Sequence, residues 1–224
     1  MKNSILYDGL DRAGLIDVLS CFCAKIKKYL PGETVVSYPT TDVSENTVGI
    51  ILSGTARMYV SNYFGDEYLS HIYEGEGVFG AAFINPSADD CYTIIAQTEL
   101  EVAYTTFERI SEFCENACIN HMRFTKNVYR LIADQSKKDL LRLNIVSKKT
   151  IREKLLAYFL VCSEAEGSFE FNINVTLSEL SKYVCSERSA MMRERRKMND
   201  DGILVSKGSH VKLLRPYQSN GDDY

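Results

Sequence analysis

The chain has no tryptophan, only three histidines, and no apolar run long enough to cross a membrane. Its longest such run, LLAYFLVC at 155–162, falls far short of the roughly 18 residues a span requires. The opening MKNSILYDGLDRAG is broken by charge before an apolar core can build, so it does not read as a secretory signal. A cytoplasmic protein with no membrane partner is expected. The histidines, His71, His121 and His210, fall in three different expected elements. There is no glycine-rich phosphate loop and no Ser or Cys in a nucleophile motif, which argues against an enzyme. A regular cysteine framework is missing too. Seven cysteines is an odd number, and in a reducing compartment they are expected to be thiols. Cys21-Phe22-Cys23 does not supply the Cys-x-x-Cys of a thiol oxidoreductase.

What is present is ordinary in bulk and uneven in detail. With 224 residues and 45% hydrophobic composition the chain has enough apolar surface for real cores. The net charge is −4, yet residues 1–110 hold 7 Lys+Arg against 15 Asp+Glu, and residues 176–215 hold 9 against 5. Such asymmetry suggests that the C-terminal part meets a polyanion while the N-terminal part does something else.

From about Tyr29 to Phe107 the text is a series of short alternating runs punctuated by glycine: ETVVSY, NTVGIILSG, TARMYVSNY, GDEYLSHIY, EGEGVFG, CYTIIAQT, ELEVAYTT. Turn signals such as Tyr63-Phe64-Gly65-Asp66 separate them, as in an antiparallel roll, barrel or sandwich. A short amphipathic helix is expected before it, around Ala13 to Lys28, stopped by Pro31-Gly32.

Beyond Phe107 the period becomes helical, and the stretch from Ile110 to Val146 contains neither glycine nor proline. Ile119, Met122, Tyr129, Ile132, Leu140 and Leu143 recur at one or two helical turns. Such a stripe either packs on the β-domain or pairs two copies of the helix; its length and flanking charges favour pairing. A further helix begins at Thr150 and ends at Gly167, followed by the strand-like SFEFNINV. Residues 147–149 are the expected hinge. The division read from these periods is an all-β domain over 1–110, a long helix over 111–146 and a C-terminal domain over 147–224, with the tail QSNGDDY read as disordered.

The segment VTLSELSKYVCSERSAMMRERRKMNDDGILVSKGSHVKLL reads as a short helix with Leu177, Leu180 and Val184 on one face, a tight break near Cys185-Ser186, and a second helix. After it come two short strands around Lys207-Gly208-Ser209. Helix, turn, helix, hairpin is the plan of a winged helix-turn-helix. Met191, Met198, Ile203 and Leu204 would hold the second helix to the core. Arg188, Ser189, Met192 and Arg195 would fall near another face. Arginines there fork onto guanine edges or phosphates, and the wing residues Lys207 and Ser209, with Lys182, are candidates for phosphate contacts. A charge run alone is more often a solvated helix face; its setting in this motif is what points to double-stranded DNA.

These residues carry a resemblance. LPGE at 30–33, IILSGTARMY at 50–59, FGDEYLS at 64–70, YEGEGVFG at 73–80, and TLSELSKYV followed by ERSAMMR make the chain similar to the cyclic-AMP receptor protein/FNR (Crp/Fnr) family of bacterial transcription regulators, from about Leu30 to Leu214. The resemblance implies an α+β fold: an N-terminal cyclic-nucleotide-binding-like β-roll, a long dimerisation helix and a C-terminal winged helix-turn-helix. It implies a homodimer on a palindromic operator, with RNA polymerase as a candidate partner and base contacts from Arg188, Ser189 and Arg193. Where the family often has Glu, this chain has Ser189, and Glu187 stands where a capping Ser is usual.

In the family's nucleotide pocket a Gly-Glu pair and an Arg-Ser pair hold the ribose and the cyclic phosphate. The matching positions here are Gly80-Ala81 and Cys91-Tyr92, with Gln135 and Ser136 matching the pair the long helix offers to the base. Both charged groups are gone, and Asp89 and Asp90 lie nearby. A desolvated phosphate without its arginine costs several kcal/mol. Cyclic AMP is therefore not the expected effector, and an unidentified small molecule in the roll remains open. No cofactor is expected. The cysteine spacing does not match the family's iron–sulfur members, and His71 is a lone candidate for haem. Cys114 and Cys118, four apart, share a helix face and are either core thiols or a metal or redox pair.

Overall fold

In the computed structural model, which describes residues 4–38, 46–83, 90–112 and 118–214, Asp11 caps the first helix, α1 (Arg12–Cys21), by accepting from the Gly14 N–H at 2.7 Å. The helix stops at Phe22 because Cys23 turns to φ +47°. This corrects the expected helix of Ala13 to Lys28. Residues 25–29 form strand β1 (Lys25–Tyr29), paired antiparallel with Leu100–Tyr104. Ile26 and Tyr29 lie three apart and fit either period, and the strand partner decides.

The chain then alternates through β2 (Thr34–Tyr38), β3 (Thr47–Ser53), β4 (Thr55–Asn62), β5 (Glu67–Glu74) and β6 (Gly77–Gly80), a 3-10 turn at Ala81–Phe83, β7 (Asp90–Ala96) and β8 (Leu100–Thr106). They form two antiparallel four-stranded sheets, ordered β1-β8-β3-β6 and β2-β7-β4-β5. Alternation sends odd and even side chains to different places. Ile51, Val102 and Leu100 meet Val36, Met58 and Ile94 between the sheets. Val48, Ile50, Leu52 and Ala103 face outward into a second cluster with Leu6, Val18, Phe22, Phe124, Val128 and Leu131. Each fully buried side chain of this size contributes about 1.5–3 kcal/mol. Gly49 is required because the Phe79 ring lies on it; a Cβ there would come within 2.3 Å of that ring.

After α2 (Phe107–Ser111) comes α3 (Ile119–Val146), a helix of 28 residues. The chain divides into two units, residues 1–139 and 140–224, with the division inside α3. In the first unit Phe124, Val128 and Leu131 turn toward the roll, and Ile132 packs partly against the same cluster. Gln135 donates to the Val78 carbonyl at 3.1 Å and accepts from the Val78 N–H at 3.4 Å. The Glu76 carboxylate accepts from Ser4 Oγ and from the Ile5 and Leu6 N–H groups, which fastens the N-terminal segment to the roll.

In the second unit α4 (Ile151–Glu166) begins with a reciprocal capping box between Thr150 and Glu153 and ends at Gly167, φ +64°. It is followed by β9 (Glu170–Asn172), α5 (Leu177–Tyr183), α6 (Arg188–Asp200), β10 (Leu204–Lys207) and β11 (His210–Leu213), the strands ordered β10-β11-β9. Leu155, Phe159, Phe171, Leu180, Met191, Met198, Leu204 and Val211 are its core. Among the described residues no helix is long and apolar enough to cross a membrane.

Candidate nucleic-acid interface

Thr176 and Glu179 start α5 with a second capping box. Leu180 and Val184 are buried, and the chain breaks at Cys185, which adopts φ +50°. That left-handed residue turns the backbone so that α6 starts three residues later. The cap of α6 is Glu187. Its carboxylate accepts from the Ser189 and Ala190 N–H groups at 2.8 and 2.7 Å and from Ser189 Oγ. The Ser189 hydroxyl and the two backbone donors hold this carboxyl down to about 2.

Helical periodicity then divides α6. Met191, Arg195 and Met198 are buried, while Arg188, Met192 and Arg196, with Ser189, Arg193 and Lys197, lie on the exposed side. Arg196 and Lys197 continue the face and were missed by reading only its leading end; their spacing of three and four positions from Arg193 was the available signal.

Arg195 corrects the sequence expectation. It is 4% exposed, and its guanidinium donates to the Gly208 carbonyl at 2.7 Å. It ties α6 to the hairpin turn and is not on the outer face. Asn199 reinforces the tie, accepting from the Ser206 N–H at 2.9 Å. From the other side, Arg152 of α4 bridges Glu194 at 2.6 Å and Asp201 at 2.7 Å. The hairpin places Lys207, Gly208 and Ser209 at its exposed tip, with Gly208 at φ +59°. Lys182 lies half-buried in the last turn of α5. Between α6 and the hairpin runs a groove of about 280 Å³ lined by Met192, Arg193, Arg196, Ser206 and Gly208. An exposed helix end bearing cations beside a cationic turn has the charge to meet a groove edged by phosphates.

The stripe on α3 is largely uncovered: Ile119, Met122 and Tyr129 are exposed in the first unit, Leu140, Leu141 and Leu143 in the second. Ile132 is the exception, packed partly on the roll.

The roll positions are dispersed in role. Gly80 is buried against the Thr47 carbonyl, which an added Cβ would approach to 2.5 Å, and Ala81 opens the 3-10 turn. Cys91 contacts Ser37 Oγ at 3.3 Å, and Tyr92 pairs across strands with Tyr38 and Val60. Gln135 is engaged by Val78, whereas Ser136 is exposed. Aromatic rings occupy the space between the sheets: Phe79 packs against Tyr73 and Tyr104, and the Tyr104 hydroxyl meets that of Tyr29 at 2.7 Å. Burial pushes both Tyr73 and Tyr104 well above the usual phenol range. His71 bonds Asp139 at 2.8 Å through one ring nitrogen and meets Ser70 Oγ at 3.0 Å with the other. Cys114, Asp89 and the tail QSNGDDY lie outside the described residues. Among the described residues no cluster of three or more His, Cys, Asp and Glu side chains converges as a metal site.

No protein-family model matches the sequence, and no curated protein is significantly similar to it. Solved structures are similar in fold. A CooA variant from Carboxydothermus hydrogenoformans superposes with TM-score 0.69 at 18% identity, covering 96% of this chain and 93% of that one. CLP of Xanthomonas campestris, a c-di-GMP responsive global regulator, gives 0.68 at 15% identity over 92% of this chain and 100% of its own. A protein of Eubacterium rectale assigned to the crp/fnr family gives 0.57 at 16% identity, over 94% and 93% of the two chains. With roll, long helix and winged helix-turn-helix present in that order, the chain has the fold of the Crp/Fnr transcription regulators.

Proposed function

We propose that the protein is a Crp/Fnr-type transcription regulator, not an enzyme, that binds a palindromic DNA operator as a homodimer. The observation that carries this reading is the exposed cationic face of α6, with Arg188 and Arg193 flanking Ser189 at the leading end and Lys207 and Ser209 on the adjoining hairpin. Arg188, Ser189, Met192 and Arg193 enter the major groove and read base edges, while Lys182, Lys207 and Ser209 meet phosphates. Arg195 positions the hairpin and touches no base. The exposed Ile119, Met122, Tyr129, Leu140 and Leu143 of α3 pair with a second copy, which sets two readers about one helical turn of DNA apart.

We assign the parts as a sensor over 1–110, a dimerisation helix over 111–146 and a reader over 147–224. An effector other than cyclic AMP controls the roll. Two observations support this: no cation stands at the Cys91-Tyr92 position, and the rings of Tyr73, Phe79 and Tyr104 occupy the interior. A mobility shift of the purified protein on its own upstream DNA, with random competitor, tests the reading. Specific binding is expected, and Arg188→Ala should weaken the specific site far more than random DNA. Equal losses on both would remove Arg188 as a base reader, and absence of any salt-dependent binding would overturn the DNA assignment.

A further inference from the structure

Within the first unit, the end of α1 and the start of α3 bring together two groups separated by 100 positions in sequence. Cys21 Sγ lies 3.2 Å from His121 Nδ1. The imidazole is 5% exposed and held by the Phe22 ring, which meets it edge-on at 4.6 Å. Its Nε2 is buried without a hydrogen-bond partner of ordinary geometry, although the Glu112 backbone lies close enough to favour the protonated ring. Cys21 itself is a half-exposed thiol. The ring also lines a groove of about 500 Å³ whose charged members are Glu112, Lys126 and Arg130.

A nucleophile within hydrogen-bond reach of a base, with the base fixed by its surroundings, is the arrangement that activates thiols. Burial pushes the His121 ring down from its ordinary value, against the smaller opposing effect of the Glu112 backbone. A neutral ring that carries its proton on Nε2 leaves Nδ1 to accept from the Cys21 thiol. Cys21 closes the C-terminal end of α1, where helix carbonyls disfavour a standing anion. The resting state is therefore S–H donating to Nδ1, with deprotonation coupled to attack.

We propose that Cys21 and His121 form a reactive thiol–imidazole pair that is modified by hydroperoxides, which gives the roll unit an oxidant input. His121 takes the thiol proton as sulfur attacks the nearer peroxide oxygen. The S–O bond forms, the O–O bond breaks, and the departing hydroxide takes the proton from the imidazolium. Thiol and hydroperoxide become sulfenic acid and water, or an alcohol from an organic peroxide. The inference stands on the first unit alone and does not depend on DNA binding.

The test is timed alkylation of the reduced full-length protein by iodoacetamide, resolved by site with mass spectrometry. Cys23 and Cys185 are exposed and Cys21 is only half so, so accessibility alone would make Cys21 the slowest of the three. At neutral pH Cys21 is expected to react at least about tenfold faster than either. His121→Gln should remove that advantage at about pH 7 and lose its effect at about pH 10, above the ordinary thiol range. Treatment with hydrogen peroxide followed by dimedone should label Cys21 first. Slower alkylation of Cys21 than of Cys23, an unchanged rate in a folded His121→Gln protein, or dimedone on other cysteines only would each overturn the proposal. If that variant does not fold, the comparison of Cys21 with Cys23 and Cys185 in the unaltered protein decides alone.

Discussion

Arg195 on the inner side of α6 donates to the carbonyl of Gly208 at the hairpin tip, 2.7 Å away and thirteen positions later in the chain. Helix α6 and its neighbouring hairpin are therefore tied together at this point. Removing the guanidinium takes a charged donor from the Gly208 carbonyl and opens a gap beneath α6. Arg195→Ala should cost about 1.5–3 kcal/mol of stability, measured by urea unfolding, and should lower affinity for specific and random DNA alike. A selective loss on the operator would return Arg195 to the base readers.

Lys207 is at the exposed end of the same hairpin and is assigned to phosphate. Its replacement by Ala should weaken all duplexes similarly and reduce the slope of log affinity against log salt by about 0.9. Titrations at several salt concentrations read this directly.

Glu187 makes the start of α6 pH-dependent. Three hydrogen bonds hold its carboxyl down to about 2, below the ordinary carboxylate value of about 4.3. A depressed carboxyl contributes stability that is present above the unfolded value and is lost as pH falls toward the folded one. The melting temperature of Glu187→Ala should therefore lie below that of the parent at neutral pH. The two should converge as pH drops from about 4.3 toward about 2. A gap that persists at the acid end would mean that the cap acts through packing.

Cys185 holds φ +50° between α5 and α6, a conformation that costs a side chain about 1–2 kcal/mol. Cys185→Gly should recover part of this and raise the unfolding midpoint, unless the loss of the Sγ contact to Arg142 at 3.6 Å offsets it. Calorimetry of the two proteins measures the balance.

The exposed stripe on α3 gives the last test. Leu140→Glu with Leu143→Glu should turn a dimer into a monomer in sedimentation without unfolding it, since both leucines are at least 60% exposed. Unchanged sedimentation would move the pairing surface elsewhere.

Local pattern carried most of the architecture. Alternation and glycine placed the strands, and the cap at Thr150 and stop at Gly167 bounded α4 as expected. What failed was non-local. Lys25–Tyr29 became a strand because Leu100–Tyr104 was there to pair with it, and nothing within the segment says so. Arg195 lies seven positions after Arg188, two helical turns, so spacing put both on one face; the hairpin then packed over the later one. Cys21 and His121 were each visible as residues, and their proximity was not, because it is created by α1 and α3 meeting on the same sheet face.

Strand β6 is the last strand of its sheet, beside β3 only. It spans four buried residues, Gly77–Gly80, with no charge to repel a newcomer. An open row of this kind invites a strand from another molecule. The Gln135 side chain, offering one donor and one acceptor to Val78, takes the place such a strand would fill. A single amide on a helix thus satisfies edge groups of Val78 that no neighbouring strand pairs.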